Sequence, residues 1–374
     1  MMRQLSLVLL TILVLLASQV EPSIMYPLPG NPCPTSSFGS WRPGHLHAGL
    51  DFSTGRRTGV PVLAVDSASL WRIRIWNGGY GKALYLRLDN GLIAVYGHLS
   101  RFIAPLESLV EARQDSLCQY EVEMFFEPWE FRFGPGDTIA FSGDTGSGPP
   151  HLHFEIRSDY QATFRINPLD GMLDLSEARR PKLSAIALKP LEPLSSIGGH
   201  YQTMVLDADQ LNDTLIVSGS FGLEVEAHDT SRCGRVIGAY SYLVTVDGQR
   251  FWDLRFDRFP SSKSYLVDGI YDVIEGRRFT RLYCEPDLDF EGCMYGPSIL
   301  KPGGFDFLPG FHTMVIRVTD AWGNADSVVV PMVSAVIPRF DHFRLEVDDG
   351  GVAIDVKPQG TDSLGIAWRE VGAA

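Results

Sequence analysis

The stretch Pro150-His151-Leu152-His153-Phe154-Glu155-Ile156-Arg157 constrains this chain more than any other. Apolar and polar residues alternate through it, the pattern of a half-buried β-strand rather than a helix. Leu152, Phe154 and Ile156 then share the face turned to a core, and His151, His153, Glu155 and Arg157 share the other. Two imidazoles at i and i+2 of one strand point the same way, close enough to share a metal ion or a substrate atom. Such a pair also arises by accident on polar strand faces. The chain has nine histidines, and His45-Leu46-His47 is a second instance. The partners elsewhere in the chain decide between the two readings.

Upstream, Gly44-His45-Leu46-His47-Ala48-Gly49-Leu50-Asp51 holds His47 and Asp51 four residues apart with a glycine between them. A tight loop there brings an imidazole and a carboxylate to one point. Tyr96-Gly97-His98-Leu99-Ser100 closes an apolar strand with a third histidine. Catalytic zinc takes three N or O ligands and keeps one position open. His47, Asp51 and His153 would make such a set. Water bound to zinc has its pKa lowered to about 7, which provides a nucleophile at neutral pH. His98 and His151 would remain to take a proton and to steady an oxyanion.

These residues, with Gly59-Val60-Pro61-Val62, Gly79-Tyr80-Gly81, Ser142-Gly143-Asp144-Thr145-Gly146 and Asn167-Pro168-Leu169-Asp170, follow one another as they do in a known family. The stretch from Ser37 to Gly171 resembles the lysostaphin-type, LytM-like zinc metallopeptidases. The resemblance implies Zn2+ held by His47, Asp51 and His153, with His98 and His151 as the non-ligand catalytic pair. It implies an antiparallel β peptidase domain of the barrel-sandwich hybrid type, with the site on a groove floor. The implied substrate is the peptide part of peptidoglycan. Two features depart from minimal members. Residues 101–132 are far longer than a short turn, as in exported multidomain relatives of Gram-negative type, and are expected to build a groove wall. His45 is an extra histidine, read as a loop or groove residue.

The rest of the chain gives an all-β expectation. Glycine (37) and proline (24) make up about 16% of the 374 residues, above the roughly 12% of average proteins, which favours many turns and short strands. Leu70 to Trp76 alternates, with Trp71, Ile73 and Ile75 expected on one face. Within the insertion, Pro105 opens a helical spacing (Leu106, Leu109, Val110, Arg113), and Tyr120 to Phe126 alternates as a strand. Proline suits a first helical turn. Beyond Arg179-Arg180-Pro181 come further short strands, among them Leu223 to Ala227, Tyr242 to Val246, Tyr265 to Val267 and Val315 to Thr319. Asp320-Ala321-Trp322-Gly323-Asn324 resembles the last hairpin of bacterial immunoglobulin-like domains. The expected organisation is a peptidase domain at 24–172 with an insertion at 101–132, then an immunoglobulin-like β-sandwich at 181–338. Residues 339–374 form a hairpin or begin a further domain.

Residues 1–20 read as a signal peptide: Arg3, an apolar run from Leu5 to Ala17, then small residues. The run is shorter than the about 20 apolar residues a membrane span needs. The expectation is an exported protein, periplasmic or associated with the outer envelope, with no transmembrane segment in the mature chain. Five cysteines leave at least one thiol unpaired; a loop closed by Cys284 and Cys293 is one option, and the pairing stays open. A net charge of −13 argues against nucleic acid, whose phosphates require clustered Lys and Arg. Three functional readings compete: a zinc endopeptidase cutting cross-links or stem peptides of peptidoglycan, a non-catalytic relative that binds wall or activates a hydrolase through the same groove, and an adhesion protein working through its second half. The Gram-negative type suggests the D-Ala to diaminopimelate bond.

Overall fold

The computed structural model describes residues 24–175, 177–211, 213–284, 304–336, 340–348 and 351–358. Residues 1–20, read above as a signal peptide, and Cys293 lie outside the described residues.

The alternating strand His151–Arg157 sits inside an antiparallel sheet, with Leu50–Ser53 on one side and Ile93–Phe102 on the other. Beyond these lie Pro34–Ser36 at one end, then Lys82–Leu88 and Ala68–Ile75 at the other. Leu152, Phe154 and Ile156 are fully buried, with Phe154 against Tyr96 (5.3 Å between ring centroids) and Phe52 (6.5 Å). The opposite face is buried as well. Glu155 is 0% and Arg157 6% exposed, because neighbouring strands and loops cover that side near the histidines.

Two bulges move side chains away from simple alternation. The register shifts between Leu70 and Arg72, so Leu70, Ile73 and Ile75 enter the main core. Trp71 goes to the other face, edge-on to Tyr85 at 6.0 Å, one residue off the face expected from period 2. An extra residue in one strand does this. The second bulge lies in Ile93–Phe102. The strand was expected to end near His98, but it continues for four residues past a break in register at that point.

In the insertion, the helix is Ala104–Leu117, with Pro105 in its first turn and Leu106 and Val110 buried. Glu107 ties it down, pairing with Lys82 (2.9 Å) and accepting the Phe102 N–H (2.7 Å). Val122–Phe125 and Arg132–Phe133 then pair with Ala68–Ile75. That puts the insertion on the sheet edge away from the histidines. It lines a separate cleft with Trp71, Phe125 and Tyr160, not the cavity at His153 that it was expected to wall.

The second half forms two sheets. One is built on Lys182–Pro190 and Phe221–Thr230, the other on Ala325–Ala335, Gly310–Thr319 and Ser241–Val246. A buried hydrogen bond from Thr280 Oγ1 to the Tyr242 hydroxyl (3.1 Å) crosses between them. Tyr265 to Val267, expected as a strand, is instead a 3-10 turn (Ser261–Leu266) running into a helical turn (Val267–Ile270). Tyr265 is exposed, and Leu266 and Val267 are buried together, which a strand's alternation would prevent. Phe340–Asp348 and Gly351–Pro358 pair as a hairpin.

The halves are joined closely. Cys33 is bridged to Cys233, 200 residues away in sequence. Strand Arg258–Pro260 pairs with Phe164–Ile166 and so extends the first sheet from the second half. Tyr271 donates to the Gly39 carbonyl (2.9 Å), and Phe38 packs on Phe259 at 4.9 Å. Cys118 is an exposed thiol. Near the junction, Glu177, Asp229 and Asp320 bring their carboxylates within 4.8 Å of one another.

Candidate metal centre

Strand register alone brings two of the sequence-selected residues together: His153 pairs with Asp51 on one side and with Gly97 on the other. His47 arrives from the loop before Leu50–Ser53. Gly49 makes that approach possible, since a Cβ there would lie 2.1 Å from the Phe154 carbonyl oxygen. The result is a three-way meeting of His47 Nε2, Asp51 Oδ1 and His153 Nδ1. The separations are 3.0 Å (His47–Asp51), 2.9 Å (His153–Asp51) and 3.0 Å (His47–His153).

The outer atoms of these residues define what the inner ones can do. His47 Nδ1–H donates to the Ser37 carbonyl (2.8 Å), which can only accept, so Nε2 presents a lone pair. His153 Nε2–H donates to Glu155 Oε1 (3.0 Å), so Nδ1 is the nitrogen turned to the junction. Asp51 Oδ2 is taken by Arg42 (2.9 Å), leaving Oδ1. Three acceptor atoms thus converge with their other positions occupied. In a tetrahedral zinc site with bonds near 2.0–2.1 Å, ligand atoms stand about 3.3 Å apart, close to the spacing here. The donor set fits a zinc ion.

The electrostatics agree. Burial disfavours charge on His153, but hydrogen bonds and charge from Asp51 and Glu155 outweigh it and raise the imidazole to about 9. Burial would also raise Asp51 and Glu155. His47 and His153 overcome this for Asp51, as Arg157 and Arg165 do for Glu155, and both carboxyls lie well below their usual range. The raised His153 value reflects the negative charge of Asp51 and Glu155 gathered at this junction, a field that favours a cation there. Burial lowers His47, keeping it a neutral donor.

His98 and His151 stand beside this group with ring centroids 4.5 Å apart. Each has its Nδ1–H on a backbone carbonyl, His98 on Thr145 (2.8 Å) and His151 on Pro149 (2.7 Å). That fixes Nε2 as the free nitrogen on both. His151 Nε2 lies 3.6 Å from Asp51 Oδ1. His98 has φ of 57°, in the left-handed region unusual for a non-glycine residue, at the bulge that aims it into the cavity. Burial, then the nearby His153 and His151, lower its pKa to about 4. All five residues line one cavity of about 530 Å³. His45 is exposed at its rim, bonded to the Pro43 carbonyl, and is outside the three-way group.

The sequence reading assigned no role to the supports. Glu155 holds His153, the Tyr80 hydroxyl, Arg157 (2.8 Å) and Arg165 (3.1 Å) at once. Its parity with His153 on the same strand was a signal that could have found it. Nothing local in sequence ties Arg42 to Asp51 or Ser37 to His47.

No protein-family model matches the chain. The DD-carboxypeptidase/endopeptidase Mpg of Neisseria meningitidis serogroup B is 32% identical over 150 residues, 40% of this chain. The chain spans only 27% of that relative's length. Among solved structures, the catalytic domain of a mutant of the prophage-encoded M23 protein EnpA from Enterococcus faecalis is 24% identical. It covers 38% of this chain and 95% of its own, with a TM-score of 0.29. The catalytic domain of lysostaphin from Staphylococcus simulans is 24% identical over 36% of this chain and 86% of its own (TM-score 0.26). In its ordered motifs, antiparallel sheet and related sequence, the first half of this chain is similar to the LytM-like, lysostaphin-type peptidases.

Proposed function

We propose that this protein is an exported zinc metalloendopeptidase that hydrolyses the cross-link or stem peptides of peptidoglycan. The observation that carries the reading is the convergence of His47 Nε2, Asp51 Oδ1 and His153 Nδ1, with His98 and His151 alongside. The name of the Neisseria relative supports the same substrate class.

In this reading His47, Asp51 and His153 hold zinc. The ion, when bound, supplies a Lewis acid that polarises a carbonyl and acidifies water. The chain's own residues do the rest. Nε2 of His98 and of His151 face the cavity, so one accepts the proton of an attacking water and the other donates to the developing oxyanion. The carbonyls of Thr145 and Pro149 keep Nδ1–H on both rings, so the ring that takes the proton accepts it at the Nε2 lone pair, and the ring that donates from Nε2 does so as the imidazolium. Glu155 and Ser37 orient the two ligand imidazoles, as outer partners of metal-bound histidines generally do.

Export is inferred from the pattern of residues 1–20, and the Cys33–Cys233 bridge supports an oxidising compartment. Among the described residues no helix is long and apolar enough to cross a membrane. The test is digestion of purified peptidoglycan by zinc-loaded protein, with product masses and a His151→Ala control. New peptide ends absent from the control are expected. An unchanged wall at full zinc loading would sink the reading.

A further inference from the structure

The space beside the triad continues into the second half of the chain. A cleft of about 710 Å³ shares Arg42, Asp51 and His151 with the catalytic cavity and extends to Arg56 and to Gly234, Arg235 and Val236. A peptide placed at Asp51 and His151 therefore has neighbouring residues that meet a wall built by both halves.

The charge of that wall is opposite to that of the protein. The chain carries a net −13, yet the charged side chains lining the cleft are Arg42, Arg56, Arg235 and a single carboxylate, Asp51. Arg42 and Asp51 are paired with each other at 2.9 Å. Arg56 and Arg235 are exposed, and neither forms an ion pair among the described residues. Guanidinium forks of this kind match a carboxylate in two-pronged geometry.

The loop that carries Arg235 is fixed in place. Cys233 is bridged to Cys33, Arg232 donates to the Pro32 carbonyl (2.8 Å), and Gly238 N–H donates to Ser37 Oγ (2.9 Å). Within the loop, Ser231 N–H bonds the Arg235 carbonyl (2.8 Å) and Gly234 N–H bonds the Ser231 carbonyl (2.7 Å). Ser37 is also the residue whose carbonyl holds His47. The loop is thus anchored to the segment that carries a triad histidine, and little ordering remains to be done on binding. Arg56 is held at φ of 59°, a left-handed conformation unusual for a non-glycine residue, in a turn closed by Thr54 Oγ1 on the Arg57 carbonyl (2.7 Å).

We propose that Arg235 and Arg56 form a carboxylate-binding subsite, built across the two halves, that selects peptides bearing a free carboxylate close to the scissile bond. The inference rests on the peptidase reading above. Arg235 is a specificity residue supplied by the half of the chain that lacks the triad.

The test uses the full zinc-loaded protein and synthetic stem-type peptides in matched pairs. One pair ends in a free acid or an amide; the other carries Glu or Gln beside the scissile bond. The readout is the acid-to-amide ratio of kcat/KM. Wild type is expected to favour one acid at least tenfold, and the responding pair tells a terminal from a side-chain carboxylate. Arg235→Ala and Arg56→Ala should each lower that ratio about tenfold with zinc content unchanged. Arg235→Lys should keep most of it, and Arg235→Glu should abolish it. A wild-type ratio near one in both pairs, or ratios unmoved in both alanine variants, overturns the subsite. Should Arg235→Ala fail to fold, Arg56→Ala decides alone. If zinc-loaded wild type cleaves none of the peptides, the peptidase reading fails. Calorimetric binding of the same pairs then judges the subsite by itself: tighter binding of the acid that is lost in Arg56→Ala sustains it, and equal binding of acid and amide overturns it.

Discussion

Glu155 Oε1 accepts the Nε2–H of His153 at 3.0 Å, while its other oxygen is shared by Arg157 and Arg165. This carboxylate sets which nitrogen of His153 faces Asp51. Glu155→Gln keeps the shape but loses the charge, and an amide nitrogen turned toward His153 would reverse the ring's tautomer. Zinc affinity should fall by about 10–100-fold, the usual cost of losing such an outer partner. Competition with a fluorescent chelator checks this, and an unaltered Kd would remove Glu155 from the metal site.

His151 and His153 project from one strand, yet only His153 meets His47 and Asp51. His153→Ala and Asp51→Ala should lose both zinc and turnover. His151→Ala and His98→Ala should retain zinc and lose roughly a hundredfold or more in kcat. The double variant should lose less than the product, because the pair acts as a unit. Metal analysis beside a peptide assay reads all five proteins; zinc loss in His151→Ala with zinc kept in His153→Ala would reverse the assignment.

Gly49 lies between two members of the triad with no room for a side chain. Gly49→Ala must push the His47 loop away from the Phe154 carbonyl. The expected outcome is a cost of about 1–3 kcal/mol, as for other overpacked sites, together with weaker zinc binding. Wild-type melting and zinc affinity in this variant would show that the loop moves freely.

The carboxylates of Glu177, Asp229 and Asp320 crowd one another, and Asp229 is 3% exposed. Burial, then the charges of Asp320 and Glu177, raise Asp229 to about 6 from 3.8. The folded state thus holds this proton more tightly than the unfolded chain. Its contribution to stability is full below about pH 3.8 and is lost as pH rises through about 6. Asp229→Asn should therefore stabilise the protein near neutral pH, by about 1–2 kcal/mol, and little at pH 4. Equal effects at both pH values in denaturant titrations would contradict this.

The site was more legible in sequence than its surroundings because its parts are local. His47 and Asp51 lie four residues apart, His151 and His153 share one strand, and alternation is enough to show which residues of that strand face together. Trp71 was placed on the wrong face because a bulge leaves no mark in a period-2 pattern. The end of the strand at His98 was misjudged for the same reason. The insertion's helix and strand were readable from spacing, but not the edge on which they dock, since pairing with Ala68–Ile75 depends on contacts about 50 residues apart. Partners such as Arg42, Arg165 and Ser37 were hidden for a different reason. They act through tertiary contacts, and arginine or serine carries no periodic signal.

Strand Arg258–Pro260 pairs with Phe164–Ile166 across nearly a hundred residues of intervening chain. Until residue 260 has been made, the edge of Phe164–Ile166 that faces away from His151–Arg157 has no partner to cover its backbone, and bare edges invite pairing with other chains. Loop closure over such a span is slow compared with local hairpins. The nascent polypeptide therefore passes through a stage in which His47, Asp51 and His153 have all been made while the sheet beside them is still open. A holding chaperone that shields extended segments would act in that interval, and chains truncated between residues 172 and 257 should aggregate rather than accumulate as a small active enzyme.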